Sequence, residues 1–150
     1  MIFHSEDDVR EWLRAASGGR VWWFENKRGG TFGFPDAMVV HEGRAMFLEL
    51  KIIEGGCLMA HPSQLNVVRE LRAAGLCAAF LCGVKDKRSP DGKLILLSPE
   101  ALERVSTNKR IGGRHKYKAA LEGKKGLFSG SNLYGILDAL AGNDFPGSFR

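Results

Sequence analysis

The chain reads as an α/β protein built on a mixed α+β sheet, in the order helix, strand, strand, strand, helix, strand. Three observations predict it. Apolar residues recur at helical spacing in Ser5–Ala16 and again after Pro62, while short aromatic and β-branched stretches lie between. Gly33–Lys51, GFPDAMVVHEGRAMFLELK, reads as two short strands joined by a tight polar turn, His41-Glu42-Gly43-Arg44, in which Gly43 supplies backbone freedom. Leu76–Cys82 is an apolar run of strand length following Gly75, expected to be a buried strand.

The elements follow in order. Ser5 is a suitable N-cap, Asp8 completes a capping box, and Val9, Trp12, Leu13 and Ala16 form the apolar stripe of a helix that Gly18-Gly19 ends. Asp7 and Asp8 suit the positive end of the helix dipole. Glu6 flanks the apolar stripe and is also a candidate functional acid. Arg20–Glu25, RVWWFE, reads as a strand, and Lys27-Arg28-Gly29-Gly30 as a basic loop placed for phosphate contact. After Lys51, Ile52–Ala60 reads as a loop around Gly55-Gly56. His61-Pro62-Ser63-Gln64 opens a helix running to Ala74, with Pro in the first turn, inward positions Val67, Val68 and Leu71, and Gly75 as the stop. Gln64 faces inward too, and a buried amide needs hydrogen-bond partners. Asp86–Lys93 reads as a charged loop, Leu94–Leu97 as a strand, and Ser98-Pro99-Glu100 as the cap of a helix to Val105. Ser131–Ala141 is a last amphipathic helix carrying Leu133, Ile136, Leu137 and Leu140.

At 150 residues the chain fits one domain with a substantial core. The core motif spans about residues 5–82 and a basic extension about 83–150. The net charge of +5 favours an anionic partner. Between Arg104 and Lys125, the residues Lys109, Arg110, Arg114, Lys116, Lys118, Lys124 and Lys125 face a single acid, Glu122, which suits a phosphate-binding segment better than a merely solvated face. The acidic N-terminus is unlike a signal peptide, and no apolar stretch approaches a membrane span. Cys57, Cys77 and Cys82 lack CxxC spacing and are expected as reduced thiols of a cytoplasmic protein. No paired-His zinc motif or phosphate loop occurs.

The chemistry concentrates on the hairpin. Side chains alternate along a strand, so Glu49 and Lys51 share one face while Met46, Leu48 and Leu50 take the other. Asp36 opens the neighbouring strand, within reach across the ladder. Two carboxylates and one ammonium are costly to bury together unless a divalent cation sits between the acids.

Pro35-Asp36 and Glu49-Leu50-Lys51, with this element order, resemble the PD-(D/E)XK nuclease superfamily. More narrowly, Glu6, Gly33-Phe34-Pro35-Asp36, Glu49-Leu50-Lys51, Pro62-Ser63-Gln64 and Leu71-Arg72-Ala73-Ala74-Gly75 resemble the pattern of its VRR-NUC branch, the virus-type replication-repair nucleases. The resemblance covers about Ser5–Cys82. It implies a restriction-endonuclease-like αβββαβ core and a metal-dependent DNA endonuclease.

Asp36, Glu49 and the Leu50 carbonyl would hold Mg²⁺, with Mn²⁺ as a substitute, since hard cations take oxygen ligands. Lys51 would orient the attacking water or stabilise the transition state, Gln64 would position Lys51 or that water, and Glu6 would serve a second metal or its water. The expected substrate is branched DNA, either junctions or flaps, cut by a homodimer, with the C-terminal apolar helix or the Trp22-Trp23 strand as its apolar patch. The competing readings are a non-catalytic nucleic-acid-binding module on the same fold and a restriction-type endonuclease.

Overall fold

The computed structural model describes residues 3–24, 33–85, 92–105, 113–119, 127–130 and 133–141. Its elements are α1 (Glu6–Ala16), β1 (Val21–Trp23), β2 (Ala37–His41), β3 (Arg44–Glu54), β4 (Cys57–Ala60), α2 (Pro62–Ala73), β5 (Cys77–Lys85), β6 (Lys93–Leu97), a 3-10 turn (Pro99–Ala101), β7 (Leu102–Arg104), β8 (His115–Ala119), β9 (Leu127–Gly130) and α3 (Leu133–Ala141). The expected αβββαβ order is present as α1-β1-β2-β3-α2-β5, with β4 added between β3 and α2. All the described strands join one mixed sheet, in which β3 and β5 are the parallel pair.

Alternation sorts the core into two layers. Met46, Leu48 and Leu50 of β3, Ala79 and Leu81 of β5, and Leu94 and Leu96 of β6 face Val9 and Leu13 of α1 and the apolar stripe of α3. Ala78, Phe80 and Cys82 of β5, with Ile95 and Leu97 of β6, face Leu65 and Val68 of α2. A strand covered on both faces reads as a continuous apolar run, as β5 does. Gly83 lets α1 approach closely: a Cβ there would lie 2.8 Å from Phe3 and Val9 side-chain atoms.

The β2–β3 turn is Glu42-Gly43, with φ of 51° and 74°, the double positive φ of a two-residue hairpin that matches strand twist. Ile52–Ala60, expected as a loop, instead continues β3 to Glu54. It turns at Gly55-Gly56, again with two positive φ angles, and returns as β4. The expected helix from Ser98 shortens to one 3-10 turn followed by β7, because pairing with β8 and the Val105 N–H bond to the Lys116 carbonyl (2.9 Å) capture the chain as a strand. In α2 the inward set is Leu65, Val68 and Arg72, with Val67 and Leu71 half-buried. The Arg72 guanidinium donates to the Ala78 carbonyl at 2.8 Å. Leu133, Ile136, Leu137 and Leu140 are core, which removes α3 as the apolar patch of a dimer. Trp23 packs on the core edge while Trp22 is 52% exposed.

The extended β3 makes the feature that matters most. One of its edges pairs with β5 from Met46 to Glu54. Its other edge pairs with β2 only as far as Leu48, and with β4 only at Glu54. Residues 49–53 therefore border a notch where β2 and β4 diverge.

Candidate active site

Backbone sterics place the first acid. Gly33, at φ 87°, packs so tightly on the start of α2 that a Cβ would lie 2.8 Å from the Ser63 carbonyl carbon and oxygen. The Phe34 ring stands edge-on to Phe24 and Phe47, at 5.0 and 5.8 Å between centroids, and the Phe24 N–H donates to the Asp36 carbonyl at 2.8 Å. Asp36 is thus delivered into the notch, where its Oδ2 accepts the Leu50 N–H at 2.9 Å. That amide would otherwise lack a ladder partner on this edge.

Glu49 and Lys51 follow by alternation and are 2% and 3% exposed. Gln64 is fixed at both ends. Its Oε1 accepts the His61 N–H at 3.0 Å, and its Nε2 donates to Glu49 Oε1 at 2.7 Å. The inward amide therefore holds Glu49, a partner that the sequence reading did not name. Lys51 Nζ lies 3.9 Å from Glu49 Oε1 and 3.7 Å from Oε1 of Glu6, which stays half-exposed at the start of α1. Asp36 from the bend before β2, Glu49 and Lys51 from β3, Gln64 from α2 and Glu6 from α1 meet at one place.

The electrostatics are unbalanced. Burial pushes the Glu49 carboxyl up to about 9, the neighbouring Asp36 carboxyl adds like-charge repulsion, and Lys51 offsets only part of this. Glu49 Oε2 is buried with no hydrogen-bond partner. An orphaned carboxylate oxygen beside a second carboxylate is the donor set a hard divalent cation takes, so these residues fit the metal expected from sequence.

Two residues beyond the motif belong here. The His61 ring is held below its ordinary pKa by burial and by the nearby Lys51 and Arg114 charges. Sequence reading treated His61 only as a helix opener, since nothing local marks its ring. Arg114 enters through the same neighbourhood. With Lys116 it lines a cleft of about 450 Å³ that also includes Glu6. Lys116 and Lys118 are exposed on β8 while His115, Tyr117 and Ala119 are buried, so this part of the basic segment is a strand with one charged face. Lys27, Arg28, Lys109, Arg110, Lys124 and Lys125 lie outside the described residues.

At the far end of the hairpin, His41 Nε2 meets Asp138 Oδ1 at 2.6 Å, a contact that ties α3 to the sheet. Among the described residues no helix is long and apolar enough to cross a membrane.

No protein-family model matches the chain, and no curated protein does. Among solved structures, Archaeoglobus fulgidus Hjc, a Holliday junction resolvase from an archaeal hyperthermophile, is similar over 75% of this chain and 80% of its own, with 16% identity and a TM-score of 0.47.

Proposed function

We propose that this chain is a Mg²⁺-dependent endonuclease that hydrolyses phosphodiester bonds in branched DNA, with the VRR-NUC-like motif as its reactive centre. The observation that carries the reading is the half-buried Asp36 and buried Glu49 meeting at one notch with the buried Lys51 beside them. A purely binding module has no use for acids where phosphates must approach. Asp36, Glu49 and the Leu50 carbonyl would hold the cation, which when bound supplies positive charge to the scissile phosphate and acidifies a water.

The remaining steps belong to the chain's own groups. Gln64 locks the Glu49 carboxylate in one orientation. Lys51 projects its ammonium to where phosphate charge builds in the transition state, and such preorganised charge is worth most in a buried site. Glu6 holds that ammonium from the side of α1. Arg114 and Lys116 attract the adjoining backbone. A two-fold dimer would present two such centres to symmetric strands, and the β1–β2 face carrying Trp22 and Val40, 52% and 48% exposed, is the patch for it.

The test offers linear, nicked, flapped and four-way DNA to the purified protein with Mg²⁺, Mn²⁺ or Ca²⁺. Asp36→Asn, Glu49→Gln and Lys51→Ala should each lower the cleavage rate by roughly a hundredfold or more while DNA binding persists. Wild-type-like cleavage by the Glu49→Gln protein sinks the assignment.

A further inference from the structure

His61 joins the reactive centre to the basic strand β8. Its main chain is fixed on the side of the acids. The His61 N–H donates to Gln64 Oε1 at 3.0 Å, its carbonyl accepts the Gln64 N–H at 2.9 Å, and Gln64 Nε2 in turn holds Glu49 Oε1 at 2.7 Å. The half-buried ring lies against the chain that enters β8. A Cβ at Gly113 would stand 3.5 Å from Nδ1 and 3.6 Å from Cε1 of His61, and the ring donates a hydrogen bond to the Gly113 main chain. Arg114 is the next residue, and it lies outside the ladder. Pairing of β8 with β4 begins at His115, opposite Ala60, and on the β7 side the Val105 N–H reaches the Lys116 carbonyl. Arg114 is thus bracketed: the ladder holds its C-terminal neighbour and the His61 ring its N-terminal one.

We infer that His61 is a positioning residue, whose ring holds Gly113 and so sets Arg114 at a fixed offset from Glu49 and Lys51, aligning the DNA backbone that Arg114 grips with the phosphate to be cut. The inference rests on the nuclease reading and deepens it by naming the group that joins binding to chemistry. Two features support it. The line of contacts from Glu49 through Gln64 and His61 to Gly113 is unbroken, and it starts at a side chain only 2% exposed. The ring is also suited to stand between two cations. Burial and the Lys51 and Arg114 charges hold it below its ordinary pKa, so it stays neutral where a lysine would repel both. Such alignment matters, because a misplacement of about 1 Å can cost roughly a hundredfold in rate.

The experiment uses the full chain, carrying Asp36→Asn so that no cutting intervenes in the binding measurements. His61→Asn removes the ring but keeps a side chain favoured at a helix start, and His61→Leu fills the ring's space without a donor. Each is compared with Arg114→Gln and with the corresponding double variant. Binding to labelled four-way and nicked DNA is measured across a range of salt concentrations at about pH 8, where an imidazole is uncharged. Loss of the uncharged ring should weaken binding about fivefold and lower the salt slope by about one unit, as loss of the Arg114 charge does. The double variant should bind no more than about twofold weaker than Arg114→Gln alone. Circular dichroism identifies which His61 variant keeps the fold, and that variant decides. An unchanged salt slope, or losses that add in the double variant, overturns the inference. Failure of the nuclease reading shows separately, as absence of cleavage by the wild-type chain on every substrate.

Discussion

The burial of Glu49 beside Asp36 couples cation binding to proton release. Its carboxyl, raised to about 9 chiefly by burial and then by Asp36, is protonated in the metal-free protein at neutral pH. A cation that takes both carboxylates must displace that proton. Between about pH 6 and pH 8, cation affinity should therefore rise roughly tenfold per pH unit, about 1.4 kcal/mol each. The sign for stability runs the other way. The folded pKa lies above the ordinary 4.5, so the folded state holds a proton that the unfolded chain releases. The stability of the metal-free protein should fall as pH rises from about 4.5 towards 9, and saturating cation should flatten that dependence. Isothermal titration with Ca²⁺ in two buffers of different ionisation enthalpy measures the released proton directly, at close to one per cation. Thermal melts with and without Ca²⁺ across the same pH range measure the stability arm. A pH-independent affinity with no buffer dependence would show that Glu49 is ionised before the cation arrives, and the site electrostatics described above would be wrong.

Gly33→Ala combines a positive φ with a 2.8 Å approach to the Ser63 backbone; it should displace Asp36, lowering melting temperature and cleavage together, whereas wild-type cleavage would mean that the Gly-Phe-Pro-Asp turn does not aim the acid. Lys118→Gln removes an exposed charge from β8 and should reduce the salt slope of DNA binding by about one unit, equally for linear and branched DNA; an unchanged slope returns Lys118 to the solvated surface. The proposed dimer should appear by light scattering at micromolar concentration and dissociate on Trp22→Asp with Val40→Asp; a monomeric wild-type chain rules it out.

Local spacing alone determined much of this protein. The hairpin, the shared face of Glu49 and Lys51, the entry of Asp36, the inward amide of Gln64 and the flanking position of Glu6 all follow from periods of 2 and 3.6, which a sequence displays directly. Partners chosen at long range do not show in that way. Ile52–Ala60 resembles a glycine loop until β8, almost sixty residues later, supplies the ladder that makes β4 a strand. Ser98–Val105 resembles a capped helix until the same β8 claims β7. The apolar stripe of α3 has one pattern whether it meets a core or a second copy, and the sheet face waiting for it decided for the core. The notch likewise exists because β2 and β4 share one edge of β3 without meeting, a property of no single segment. Only the tertiary structure could bring Arg114, Lys116 and His61 beside the acids, since through-space electrostatics and close packing depend on distances that the chain acquires by folding.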